Sequence, residues 1–202
     1  VGHANFVAGV VAQVCPGATI NVINHNGAFV ESDSSDWPIP TEASVARSLW
    51  SSRKSDVINV GFAFPTLPAI HPVEGEADGP SSWALDAVIQ SMRGEAAPVI
   101  VAPAGNQNTT TAQYPAAFHN THPNVVGVGS LARNGERSEF SNYGDWVACC
   151  TEGEYVISTF INADRDDWHT EDAEPPSYPN PGTWPPKDFR GGWASWSGTS
   201  FA

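Results

Sequence analysis

Three short segments hold side chains suited to proton transfer, hydrogen-bond donation and nucleophilic attack. The first is Gly2-His3-Ala4-Asn5-Phe6-Val7-Ala8-Gly9. An imidazole titrates near neutral pH and can take up a proton; here it opens a helical segment whose second turn holds Ala8 and Gly9, small enough for close packing that would hold His3 rigidly. The second, Val99-Ile100-Val101-Ala102-Pro103-Ala104-Gly105-Asn106, is a strand that delivers a carboxamide at its carboxyl end, the edge at which open parallel α/β sheets bind ligands. The third, Ser197-Gly198-Thr199-Ser200-Phe201-Ala202, presents a hydroxyl, which is nucleophilic only once a base takes its proton. Singly, each has an ordinary reading: a capping histidine, a strand-ending turn, a Ser-rich loop. Other candidates carry less. His119 and His122 sit three apart, but Pro123 follows and no carboxylate or Cys is suitably placed, so they read as loop histidines rather than metal ligands. Cys149-Cys150 reads as two strand residues on opposite faces, and the sequon Asn108-Thr109-Thr110 as a chance tripeptide.

The elements that must position these groups can be read from periodicity. Val7, Val10, Val11 and Val14 share one helical stripe, running from about Ala4 until Pro16 and Gly17 stop it. Residues 18–25 form an Ile/Val-rich run that reads as a strand, and an acidic loop follows at 31–36. Thr41 can cap a helix bearing Val45 and Leu49, and the apolar run 57–64 comes next. Ser82 is placed to cap a helix over 83–92 with Leu85, Val88, Ile89 and Met92 buried, and Gly94 stands where a left-handed C-cap is expected. Residues 99–102 read as a strand buried on both faces. Further strands are expected at 124–131 and 146–150, with Asn134-Gly135 a turn between them. This alternation of strand and helix predicts a parallel sheet covered on both sides. Residues 161–192 break the pattern with six prolines and seven acids and read as an insertion loop.

Composition narrows the function. The chain has 202 residues, one domain's worth, with 9 Lys and Arg against 22 Asp and Glu for a net charge of -13. That disfavours a nucleic-acid partner and anionic membrane surfaces. No apolar run approaches the ~18 residues of a membrane-spanning helix. Cys15, Cys149 and Cys150 are odd in number and lack metal or redox spacing, which leaves the redox compartment open.

Taken in order, the three segments resemble the signatures of the subtilisin-like serine peptidases: His-Gly-Thr-His-Val-Ala-Gly, a small-residue run ending Gly-Asn, and Gly-Thr-Ser-Met-Ala. The resemblance covers nearly the whole chain. Val57-Ile58-Asn59-Val60-Gly61-Phe62 is similar to the family's substrate-strand segment, Tyr114-Pro115-Ala116 and residues 125–129 also fit, and Phe140-Ser141-Asn142-Tyr143-Gly144 resembles the loop before its next strand. The resemblance implies a three-layer α/β fold, its mostly parallel sheet flanked by helices on both faces, and a serine endopeptidase acting through an acyl-enzyme. On it Ser200 is the nucleophile and His3 the base that takes its proton and returns it to the leaving amine. Asn106 donates its carboxamide to the tetrahedral oxyanion beside the Ser200 N–H. A peptide or protein substrate would add as a strand along Gly61, Phe62 and Ala63, with Ala104 and Gly105 also among the binding residues. The resemblance calls for no cofactor, although the acid-rich loops leave room for structural calcium whose ligands the sequence does not name. Secretion is the compartment it suggests. As base, His3 must be neutral, so activity is expected to rise as pH passes roughly 6 to 7.

The match departs from the pattern in places. Ala4, Asn5 and Phe6 stand where the family has Gly, Thr and a second His, and Phe62 where it tends to have Leu. The family's Asp lies on a strand well before the His; only Val1 and Gly2 precede His3, so no Asp here takes that role, and only Phe201 and Ala202 follow Ser200. The expectation is an incomplete catalytic domain, truncated at both ends and exposing apolar surface along its sheet. Alone it should be nearly inert, because loss of the orienting acid costs on the order of 10⁴ in turnover in serine proteases, subtilisin included. Two other uses of the groove stay open: noncatalytic peptide binding, and transpeptidation or macrocyclisation in which an amine intercepts the acyl-enzyme.

Overall fold

The structure, a computed structural model, describes residues 2–23, 41–65, 82–160, 187–190 and 192–202. In chain order it contains α1 (Gly2–Val14), α2 (Glu42–Ser51), β1 (Val57–Asn59), β2 (Phe64–Pro65), α3 (Trp83–Ser91), β3 (Val99–Pro103) and β4 (Gln113–Tyr114). A 3-10 turn (Ala116–Asn120), β5 (Val125–Leu131), β6 (Cys149–Glu152), β7 (Val156–Thr159), β8 (Lys187–Arg190) and β9 (Trp193–Trp196) follow. The fold is α/β.

Its frame is a parallel sheet in the order β1-β3-β5-β6. Alternation along the strands sends Ile58, Ile100 and Val125 to one face, where they join Val45, Leu49, Leu85 and Ile89 of α2 and α3 in the larger core. Val57 and Val99 take the other phase and are 58% and 41% exposed. The second face of β3 is therefore exposed at Val99, half-buried at Val101 and buried at Pro103, so the expected burial on both faces holds only toward its carboxyl end.

The two core helices start differently, α2 by local chemistry and α3 by a distant carboxylate. Thr41 Oγ1 accepts from Ser44 N–H at 3.2 Å while Ser44 Oγ accepts from Thr41 N–H at 3.1 Å, a reciprocal cap on α2. For α3 the expected cap fails: Ser82 makes no side-chain cap bond. Glu42 replaces it, its Oε1 accepting from Ala84 and Leu85 N–H at 2.7 and 3.2 Å. A carboxylate longer than a serine reaches across from α2 to the donors at the start of α3, where the helix dipole favours its charge.

A second layer is the antiparallel sheet β7-β9-β8, on which α1 lies. Its contact face is only in part the expected valine stripe. Phe6 and Gly9 are buried, whereas Val14 is exposed. Gly9 lets the helix close onto Ser158 and Thr159 of β7, and Ser158 Oγ donates to Phe6 O at 2.7 Å. The four valines divide: Val7 and Val10 pack half-buried against the Phe6 cluster, whereas Val14 has no place in it.

Other expectations are revised as well. Residues 18–23 form no strand and are exposed, with 24 and 25 outside the described residues; β-branched composition makes a strand only where a neighbouring edge accepts its hydrogen bonds. The strand expected from 146 begins at Cys149, and Trp146 is buried with Nε1 donating to Thr110 O at 3.3 Å. Lys187–Arg190, inside the expected insertion loop but past its last proline, is strand β8; residues 31–36 and 161–186 lie outside the described residues. Gly135 (φ 82°) and Gly94 (φ 131°) take the positive φ their positions predicted. Among the described residues no helix is long and apolar enough to cross a membrane.

In the full-length polypeptide carrying this sequence, Glu42→Ala should cost about 1 kcal/mol, the usual size of a lost helix cap, and Ser82→Ala much less. Urea unfolding midpoints of the two variants check this; equal losses would remove the cap from Glu42.

Candidate active site

Because β1 and β3 are parallel neighbours, paired Val57 to Val99 through Asn59 to Val101, their carboxyl ends open side by side. Beyond β1, Val60 N–H donates to Val101 O at 2.8 Å, and Gly61 follows. Beyond β3, Ala104 N–H donates to Val128 O at 2.8 Å, and the chain then turns at Gly105 with φ 96°. That is a conformation glycine adopts without strain. It points Asn106 at the segment carrying Ser200.

The junction is a closed set of hydrogen bonds. Asn106 Oδ1 accepts from Thr199 N–H at 2.9 Å and from Thr199 Oγ1 at 2.9 Å. Thr199 Oγ1 in turn accepts from Gly105 N–H at 3.1 Å. Gly198 N–H donates to Gly153 O at 2.8 Å, which ties the far side of the turn. Ser200, next in the chain, directs its hydroxyl to Gly61 O at 3.3 Å rather than to the His3 ring.

His3, in the first turn of α1, arrives from the opposite side. Its Cε1 lies 3.3 Å from where a Cβ on Gly61 would stand. The ring is packed edge-on against Trp196 (centroids 5.5 Å apart, 88° between planes) and tilted on Phe201 (5.4 Å, 43°). Phe6 supports both, 5.6 Å from Trp196 and 4.6 Å from Phe201. The position that departs from the signature's second His is therefore an aromatic core site. Burial lowers the His3 pKa from its ordinary 6.5, since an imidazolium loses hydration there. The structure thus brings the His3 ring and the Ser200 hydroxyl, far apart in sequence, to Gly61, while Asn106 is bonded to Thr199, the neighbour of Ser200.

The remaining predicted residues separate. Gly61 stands at the centre, while Phe62 is half-buried against the α2/α3 core and Ala63 half-buried beside it. Ala104 is fully buried, and Gly105 is buried with both backbone polar groups used internally, its N–H on Thr199 and its carbonyl on Asn142 N–H at 3.0 Å. Their visible work is to place Asn106. Of the two histidines expected in a loop, His122 lies in the connection between the 3-10 turn and β5, and His119 does not. His119 lies in the 3-10 turn with Nδ1 2.9 Å from Val125 O. His122 is buried, with Nε2 2.7 Å from Asp86 Oδ1 and Nδ1 3.0 Å from Arg93 Nη2. That is the one His–carboxylate contact among the described residues. Sequence reasoning missed Thr199, Trp196 and Asn142; Thr199 adjoins Ser200, Trp196 stands four residues before it, and Asn142 lies in the quoted Phe-Ser-Asn-Tyr-Gly motif.

Residues 1–202 match the family model described as the subtilase family. The chain belongs to the subtilase family. Over 61 residues it is 38% identical to the thermophilic serine proteinase of Bacillus sp. (strain AK1), covering 30% of this chain and 14% of that one. Among solved structures, a lanthipeptide protease superposes with a TM-score of 0.66 at 17% identity, covering 100% of this chain and 57% of that one. A cold adapted subtilisin-like serine proteinase gives 0.58 at 23%, covering 100% and 56%. This subtilase chain spans a seventh of the length of the curated relative and just over half of the solved ones.

The His3 shift has a defined sign. The folded state holds a proton on His3 less readily than the unfolded state does, so this group's contribution to stability is complete above about pH 6.5 and is lost as pH falls below it. Histidine NMR should place the His3 midpoint below 6.5; a midpoint above that value would show that burial does not govern the ring.

Proposed function

We propose that the full-length protein is a serine endopeptidase in which Ser200 is the nucleophile, His3 the general base and Asn106 an oxyanion donor. One observation supports this most: beyond the carboxyl ends of the parallel strands Gly61 meets both the His3 ring and the Ser200 hydroxyl, and Asn106 is bonded to Thr199 beside that serine. A peptide laid along Gly61, Phe62 and Ala63 hydrogen-bonds the backbone there and competes for the Gly61 carbonyl that holds the Ser200 hydroxyl at rest. The freed hydroxyl turns to His3, which takes its proton as Oγ bonds to the scissile carbonyl carbon.

The negative charge then collects on the carbonyl oxygen. The Asn106 amide nitrogen and the Ser200 N–H donate to it, and they need no reorganisation because Thr199 already fixes the other end of the carboxamide. Collapse of the intermediate breaks the C–N bond, and the departing amine takes the proton from His3. Water, deprotonated by the same imidazole, hydrolyses the ester on Ser200. Because burial lowers the His3 pKa, the base stays neutral further into acid, and the acid limb of activity lies below the roughly pH 6 to 7 set by an unperturbed histidine.

A fluorophosphonate probe applied to the full-length protein should label Ser200 and fail on Ser200→Ala. Asn106→Ala should lower kcat by about 10² to 10³, the range established in subtilisin, a member of this family. A folded protein that resists labelling would exclude the reading.

A further inference from the structure

The loop that carries Asn106 is held from a second side. Asn142 is 1% exposed. Its Nδ2 donates to Ala104 O at 2.8 Å and to Gln107 Oε1 at 3.0 Å. Its Oδ1 accepts from Gln107 N–H at 2.9 Å and from Thr109 N–H at 3.1 Å. An asparagine side chain has two donors and one oxygen with two lone pairs, so all four are spent on residues flanking Asn106. The link closes through Gln107, whose Oε1 also accepts from Asn106 N–H at 3.1 Å.

Two features make the clamp specific. Gly105 leaves the space it needs, because a Cβ there would collide with Asn142 Nδ2. Asn142 is itself anchored on the sheet: Ser141 Oγ donates to Asn142 O at 3.1 Å and accepts from Ser130 N–H of β5 at 2.9 Å. The place of Asn106 is thereby referred to β5, one strand beyond the strand that delivers it.

We propose that Asn142 is a positioning residue of the oxyanion site. By fixing residues 104–109 it sets where the Asn106 carboxamide stands, while Thr199 sets which end faces the substrate. The proposal rests on the reading of Asn106 as the oxyanion donor. Asn142 touches no substrate; a displaced donor meets the transition-state charge poorly yet leaves ground-state binding intact, so the loss falls on kcat rather than KM.

The experiment uses the full-length enzyme and a peptide amide substrate, with rates expressed per active site titrated by a fluorophosphonate so that misfolded protein does not count. Asn142→Asp keeps the shape but turns the donating nitrogen into an acceptor facing Ala104 O and Gln107 Oε1. It should lower kcat about tenfold or more with KM within about twofold, and in an Asn106→Ala background the same change should cost less than about twofold, because its effect passes through Asn106. Equal losses in both backgrounds, or an unchanged kcat in the single variant, overturn the proposal. An Asn106→Ala enzyme with undiminished kcat instead overturns the oxyanion reading and the proposal with it. Should Asn142→Asp yield no titratable sites, Gln107→Met decides: this exposed position interrupts only the Gln107 link, and should lower kcat about threefold or more unless Asn106 is already alanine. No loss there overturns the proposal equally.

Discussion

The two hydrogen bonds that end on Asn106 Oδ1 hold the site in register. They join the end of a central strand to the segment carrying the serine, and they decide the orientation of a group with two nearly isosteric ends. Thr199 offers donors, so the carboxamide must present oxygen to it. Its nitrogen lies beside Gly198, 3.6 Å from where a Cβ there would stand. Thr199 can donate because its own oxygen is also the acceptor for Gly105 N–H. The chain of donors runs from backbone to hydroxyl to amide in a buried place, where an unsatisfied member would cost about 1 to 3 kcal/mol.

The imidazole is placed by different means. Among the described residues no hydrogen bond joins the antiparallel sheet or α1 to the strands under the junction; they come to it through rings. Phe6, Trp196 and Phe201 form a wall against which His3 rests, and Gly9 lets α1 sit close enough to β7 for that wall to be continuous. Packing of this kind limits ring rotation and removes part of the ring's hydration. It selects the neutral base without a charge partner among the described residues.

Features of the sequence that depend on near neighbours were legible. The cap of α2 by Thr41, the buried positions Val45, Leu49, Leu85 and Ile89, and the strands at 99 and 125 all follow from spacings of a few residues. What depends on distant partners was not. Residues 18–23 have strand composition but no strand, the cap of α3 comes from Glu42 on another helix, and His122 finds Asp86 across the fold. The site divides the same way: His3, Asn106 and Ser200 stand in short motifs, whereas the residues that hold them in place, Thr199, Asn142 and Phe6, show their role only in three dimensions.

Phe201 follows the serine where the family signature carries Met. A benzene ring has no thioether to oxidise, so peroxide finds no sulfoxide-forming atom next to the nucleophile. The chain's one methionine, Met92, is buried in the other core, and the exposed thiols of Cys149 and Cys150 lie on β6. Oxidants that mark the surface of this chain have no sulfur to attack among the rings around His3.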